Sequence, residues 1–392
     1  MTDILVPDSV LSEPDRFGGD VRQGIRHGQP IVQNGRIVAL NPPKGGPARL
    51  VLPKLVEAHC HLDKCHTQYR LGPVGGDLPH AIAMQRDDKA NWTEDDLRTR
   101  AARGLKEAHD AGCSLIRSHV DWGDAADAPL AWSVLGELSQ DHAGLQRAAL
   151  TGVLQWTDTA FADTVARQLA QDAGVLGAFV YDQPQLEAGL KAIFAMAQRF
   201  ALPLDFHVDE GLGDMNGLEA IADAAIATGY GGPILCGHAV SLMDRSKADL
   251  SRIIDKLLAA RIHICALPTT NLYLQGRVDG TPDRRGITRL RELHAGGVPI
   301  VVGSDNVADA FCPTGAHDPM AALNLAVLAA HLDPPLDRWL ASITTDAARA
   351  LGARPVHVDT SPLDALSVYD VATLADVIAG RARPIPASKV IK

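Results

Sequence analysis

The chain has 392 residues, 46% hydrophobic and 21% charged, which is globular composition and enough length for a barrel-sized domain plus a smaller one. Its net charge of −10, with no basic run interleaved with aromatics, excludes nucleic acid as the expected partner and leaves a small-molecule substrate. The start, MTDILVPDSV, has no charged-then-apolar leader and no stretch reaches the roughly 18 apolar residues that span a bilayer, so the expectation is a soluble, cytoplasmic protein without a membrane partner.

Taken in order, residues 1–50 are rich in Gly and Pro, and two short β-type runs between Pro30 and Ala39 flank Asn34-Gly35, a hairpin signal. This segment is too small to bury a core alone. After about Pro355 the helical pattern gives way to short β-type pieces, Ala365 to Tyr369 and Lys389 to Ile391. The two ends are expected to form one small β domain, 1–50 with 355–392. Between them, over 51–354, eight apolar runs alternate with amphipathic, helix-length stretches. The expected strands are Val51–Ala58, Ser114–Val120, Arg147–Gln155, Leu176–Tyr181, Leu204–Val208, Ile234–His238, His263–Leu267 and Pro299–Gly303. Helices are expected over Thr93–Ala111, Thr159–Ala173, Pro184–Phe200, Gly217–Thr228, Asp244–Ala260 and Gly286–Ala295. Eight such repeats predict an α/β fold, a (β/α)₈ TIM-type barrel. No GxGxxG follows the first strand, which argues against a dinucleotide-binding sheet.

In such barrels function gathers at the C-terminal strand ends, and the polar residues fall there. His59 and His61, one pleat apart, face the same way and can share a metal ion. Gln155 closes the third run, His207-Val208-Asp209-Glu210 the fifth, His238 the sixth and Ser304-Asp305-Asn306 the eighth. The six cysteines include no CxxC pair and read as reduced, buried thiols; Cys60 and Cys65 flank the histidines, but strand alternation turns Cys60 away from them. His109, His142, His263, His294 and His331 receive no role.

The order HxH, His, His, Asp resembles the amidohydrolase superfamily. His59-Cys60-His61-Leu62-Asp63, Arg117-Ser118-His119-Val120-Asp121, His207-Val208-Asp209-Glu210, Asn271 to Arg277 (NLYLQGR) and Arg284 to Arg289 (RRGITR) narrow the resemblance to its cytosine deaminase branch, over nearly the whole chain. That resemblance implies one divalent ion, Zn²⁺ or Fe²⁺, on His59, His61, His207 and Asp305. The fourth strand end, Phe179 to Asp182, lacks the lysine that bridges two ions in binuclear relatives. It further implies that Asp305 and His238 move the proton of an activated water, that Glu210 protonates a ring nitrogen, and that Gln155 binds the ring's carbonyl and NH edge. The implied reaction is deamination of a small aminated N-heterocycle, cytosine or a close analogue, by a homo-oligomer.

Three departures bear on the substrate. Asn306 replaces a second acid, Phe311 stands where a larger aromatic wall is usual, and Lys64 follows HxHLD, as in the branch that removes alkylamine from N-isopropylammelide. Lys64 is read either as an anion-steadying pocket residue or as a solvated loop lysine, and His119 as a pocket or supporting residue. The alternatives are hydrolysis of a substituted amine from a triazine or pyrimidine, opening of a cyclic amide, or a barrel that has lost catalysis and serves in assembly.

Overall fold

A computed structural model describes residues 2–391. Eight parallel strands run in chain order around one sheet: Leu55–Cys60, Cys113–Asp121, Leu145–Gly152, Val175–Val180, Leu204–Val208, Ile234–His238, Ile262–Ala266 and Ile300–Val302. The last meets the first at an isolated parallel bridge between Cys60 and Asp305, where the Asp305 N–H donates to the His59 carbonyl at 2.8 Å. Helices follow the strands and cover the barrel, so the fold is the expected (β/α)₈ barrel. Four of the six expected helices match to within two residues at each end, but the helix expected over Gly286–Ala295 begins only at Leu290 and the one expected from Asp244 begins at Lys247. Thr93 and Ser246 accept N–H groups of the first turn and start Glu94–Asp110 and Lys247–Ala259. Gly217–Thr228 ends at Gly229, whose φ of +61° suits a C-terminal cap.

The second sheet is built from both chain ends, in the order Ile385–Pro386, Leu366–Tyr369, Ala48–Pro53, Asp3–Pro7, Ile25–Gln33, Asp20–Arg22, with Arg36–Asn41 beside Ile25–Gln33. The hairpin turn is Asn34-Gly35, both at positive φ. Three strand limits differ from expectation. The run expected over 51–58 is two strands: the chain leaves the small sheet at Pro53, Lys54 donates to Ala365, and Leu55 enters the barrel by donating to Gly112. The third barrel strand stops at Gly152, because the buried Trp156 indole donates to Thr151 Oγ1 at 2.6 Å and curls Val153–Thr157 into a 3₁₀ turn. Near the C-terminus the strand is Ile385–Pro386, and 387–389 is a 3₁₀ turn.

An ion pair crosses the barrel floor. Arg117 donates to Asp205 at 2.9 Å, to Gln146 at 2.8 and 3.1 Å, and to the Leu351 carbonyl at 3.1 Å, while 1% exposed. Asp205 is held below the usual carboxylate range: burial pushes it up, and His119 and Arg117 overcome that. Removing one partner of such a pair strands a buried charge at a cost of roughly 3–5 kcal/mol. Arg117→Met should therefore lower the denaturant midpoint by that equivalent, whereas a change under about 1 kcal/mol would mean that the pair contributes little.

Candidate active site

The site starts from alternation along the first strand. Glu57, His59 and His61 share the inward face, and Glu57 is the lowest of the three. Its carboxylate accepts from Ser304 Oγ at 2.5 Å, Ser304 N at 3.1 Å and His59 N at 3.2 Å, tying the first strand to the eighth. Burial pushes Glu57 up to about 7 against those donors. Above it, Nε2 of His207 lies 3.2 Å from Nε2 of His59 and 3.1 Å from Nε2 of His61. Asp305 Oδ1 lies 3.5 Å and 3.3 Å from the same two nitrogens. Four donors at bond lengths of about 2.1 Å around a tetrahedral ion sit about 3.4 Å apart, and these four distances match that spacing; His59, His61 and His207 lie within 4.8 Å of one another together with His119, and His59, His207 and Asp305 together with His238.

Polar accounting agrees. Among the described residues, neither oxygen of the fully buried Asp305 finds a donor in hydrogen-bond geometry. Buried acceptors are ordinarily satisfied; here the lone pairs converge on a shared point instead of on one another. Burial pushes Asp305 up, yet His59 and His61 beside it hold it well below the usual carboxylate range. His61 and His207 are driven well below the usual imidazole value, first by burial and then by neighbouring cations and imidazoles, so they stay neutral with lone pairs available.

Backbone conformation aims the next residues. Gly237 faces inward: a Cβ there would lie 3.0 Å from His59 Cε1, and one at Gly303 would lie 3.0 Å from His59 Cβ. Regular alternation from Gly237 would send His238 outward. A φ of +71° at His238 turns its ring back to 5.1 Å from His207, centroid to centroid. Asp209 and Asp305 also have positive φ, +49° and +62°; such backbone is sparsely populated by residues with a Cβ and collects at functional sites.

His238 Nε2 lies 3.5 Å from Glu210 Oε2, and Asn271 Nδ2 donates to His238 Nδ1 at 3.0 Å, which places the ring proton on Nε2. Burial lowers His238 to about 3. Glu210 is raised well above its ordinary value, first by burial and then by the Asp305 charge, with Lys64 opposing. A carboxyl whose proton is held more tightly than usual thus stands beside a neutral imidazole and the Asp305 carboxylate. Gln275 donates to the Glu210 carbonyl at 2.8 Å, and Thr288 to the His238 carbonyl at 2.6 Å.

The other expected residues divide. His119 lies under the cluster, its ring 4.0 Å from that of His59 and its Nε2 3.2 Å from Asp205; burial takes it down to about 4. Lys64 is buried rather than solvated: its Nζ is 3.0 Å from Asp121 and 5.0 Å from the Phe311 ring centre. Burial disfavours its charge, but Asp121 and Asp63 hold it cationic. Phe311 packs with Ala81, Leu274 and Ala310, and Leu71, Leu78, Met84 and Tyr273 border them. Gln155 is half-buried in its 3₁₀ turn and donates to Asp124; among the described residues its Oε1 is a buried acceptor without a donor.

Asn306 donates to Asp309 at 2.7 Å, and Asp309, pushed by burial up to about 7, also accepts the Phe311 and Cys312 N–H groups at 2.9 Å. An acid at 306 would set two carboxylates against each other, and one would have to keep a proton. Asn306→Asp should cost about 1–3 kcal/mol. Two facing carboxyls have raised pKa values in the folded chain, so the loss should grow as pH rises from about 5 to about 8. Thermal melts of both proteins across that range check this; a pH-independent difference would remove the Asp309 contact as its cause.

Glu57, Asp205, Asn271, Gln275, Thr288 and Asp309 carry no role in the sequence reading. Glu57 had a signal, an acid two residues before HxH in an apolar strand. Asn271, Gln275 and Thr288 lie in the NLYLQGR and RRGITR stretches, whose hydrogen bonds fix His238 and Glu210.

An eight-stranded barrel with a His/Asp cluster that could hold a metal ion at its C-terminal rim is an arrangement of the amidohydrolase type. The amidohydrolase family profile matches residues 79–356, and the chain belongs to that family, whose members here are hydrolases acting on C–N bonds. The chain is 34% identical over 351 residues to a pterin deaminase from Rhizobium rhizogenes, covering 86% of this chain and 80% of the relative. It is 23% identical over 316 residues to an N-isopropylammelide isopropyl amidohydrolase from a Pseudomonas species, covering 77% of this chain and 75% of that one. Among solved structures it superposes on 5-methylcytosine deaminase from Klebsiella pneumoniae, bound to phosphonocytosine, with a TM-score of 0.77 at 25% identity, covering 100% of this chain and 98% of that one. No helix among the described residues is long and apolar enough to cross a membrane.

Proposed function

We propose that the chain is a metal-dependent aminohydrolase of an amino-oxo-pyrimidine ring, with a bicyclic pterin-type ring tried before cytosine. The observation that carries this is the buried cluster of His59, His61, His207 and Asp305 with His238 and the Glu210 carboxyl beside it. Those four residues would hold a single divalent ion, and Zn²⁺ and Fe²⁺ both suit the set. When bound, the ion acts as a Lewis acid that makes water a nucleophile near neutral pH.

The chain's own groups do the remaining work. Glu210 donates its proton to the ring nitrogen next to the amine-bearing carbon, where negative charge collects. Asp305 takes the proton of the attacking water, and His238, with Nε2 facing the site, relays a proton toward the departing amine. Lys64 and Asn306 present donors to a ring carbonyl, Gln155 offers its free Oε1 to a ring N–H, and His119 braces His59. Support for the larger ring is the 34% identity to a pterin deaminase and Phe311, smaller than the aromatic wall usual in the branch. Lys64, together with the N-isopropylammelide relative, favours the second reading, release of an alkylamine from a triazine.

The test is product release from pterin, cytosine, 5-methylcytosine, isoguanine and N-isopropylammelide, with enzyme loaded separately with Zn²⁺ and Fe²⁺. Fastest ammonia release from pterin is expected. Alkylamine without ammonia would install the second reading, and silence on every ring with the cage filled would overturn both.

A further inference from the structure

A second cluster of ligand-type side chains lies outside the site just described. Cys65, His66 and His317 each bring one donor atom within 4.8 Å of the others, and they are 0%, 5% and 1% exposed. Among the described residues, none of the four ring nitrogens of His66 and His317 makes a hydrogen bond. Two imidazoles buried with every nitrogen unsatisfied cost several kcal/mol unless something occupies the lone pairs. Glu107 adds a carboxylate: its Oε2 is 3.2 Å from His66 Nε2, within ion-pair reach but off the hydrogen-bond direction. A cleft of about 820 Å³ lined by Lys54, Glu107, Asp110, Cys113, His317 and Asp318 opens beside the cluster and gives an entry path.

We propose that Cys65, His66 and His317, with Glu107 as the fourth donor, form a second metal site for a borderline-soft divalent ion of the zinc type. One thiolate and two imidazoles select zinc or cobalt over magnesium or calcium, which take oxygen ligands. Rotation of the side chains by about 1 Å brings atoms within that radius to the edges of about 3.5 Å that zinc–sulfur and zinc–nitrogen bonds require. Burial takes His317 down to about 3 and so leaves it neutral with lone pairs available. Burial raises the Cys65 thiol, which donates to the Leu62 and Arg100 carbonyls at 3.5 Å, so a metal ion has to displace that proton to bind the sulfur. Binding releases the thiol proton to solvent, and no electron is transferred.

The position gives the ion a task. The Cys65 N–H donates to the His61 carbonyl at 3.1 Å and the His66 N–H to the Val307 carbonyl at 3.0 Å. His317 follows the loop that carries Asp305, Asn306 and Phe311. An ion here clamps the loop after the first strand to the loop after the eighth, the two that carry Lys64 and the pocket wall.

Cobalt separates the two sites, because the cage of His59, His61, His207 and Asp305 contains no sulfur. Metal-free full-length protein titrated with Co²⁺ should bind two equivalents, one of them developing a sulfur-to-cobalt charge-transfer band in the near ultraviolet. Cys65→Ser should abolish the band and leave the other equivalent, and His317→Gln should weaken the banded equivalent at least tenfold. Absence of the band in the unmodified protein at saturating cobalt overturns the proposal, as does a band that survives Cys65→Ser. If the variants fail to fold, the titration of the unmodified chain decides by itself.

Discussion

Glu210→Gln is expected to cut turnover of the best amino-heterocycle by about 10²–10⁴-fold while leaving metal content unchanged. Glutamine keeps the size and one hydrogen-bonding oxygen but has no ionisable proton, so the variant isolates proton donation from packing. Two observations set the size of the effect. Burial and the Asp305 charge raise the Glu210 carboxyl well above its ordinary value, so it holds its proton more tightly than a solvated glutamate. Its backbone is fixed by Gln275, whose amide donates to the Glu210 carbonyl at 2.8 Å, so the side chain is aimed rather than roaming. Metal should stay, because Glu210 is not among the four convergent donors. Kinetics and metal analysis on the same preparation check the split: kcat should fall far more than KM rises. Turnover within threefold of the parent would transfer the proton-donating role to His238 or Lys64.

Glu210 also shows what sequence can and cannot carry. Its position three residues after a strand-end histidine was legible, because strand ends in a parallel barrel converge and the apolar runs marking those strands are unambiguous. The ligand set His59, His61, His207 and Asp305 is what the family resemblance implies, whereas the eight strands and the end-to-end small sheet follow from such local patterns. Side-chain direction beyond the last regular residue does not. Alternation from Gly237 sends His238 away from the site, and only a left-handed backbone at that residue reverses it. Arg147 to Gln155 reads as one β-type run, and the Trp156–Thr151 hydrogen bond that ends the strand at Gly152 is a tertiary fact. Lys64 reads in the sequence equally as a solvated loop residue, because its partners Asp121 and Phe311 lie 57 and 247 positions away. Long-range partners decide burial of a charge, and a single sequence does not contain the pairing.

His207→Ala should lose one equivalent of tightly bound metal relative to the parent, and with it essentially all hydrolytic activity. His207 is the hub of the cage: its Nε2 sits 3.2 Å and 3.1 Å from those of His59 and His61. Partners that merely orient a ligand are typically worth 10–100-fold in metal affinity; loss of a ligand itself should cost at least about a hundredfold. The complication is packing, because the His207 ring also lies against Phe179 and His119, with centroids 5.3 Å and 4.7 Å away. Truncation there leaves a cavity, so a lower melting temperature alone proves nothing about metal. The informative quantity is the gain in melting temperature on adding zinc to metal-free protein. An ion that binds only the folded state stabilises it by RT ln(1 + [L]/Kd), so the gain due to the cage should be present in the parent and absent in the variant, whatever the cavity costs. A variant that gains as much as the parent, at equal metal content, would remove His207 from the ligand set and leave His59, His61, His119 and Asp305 as the donors to examine.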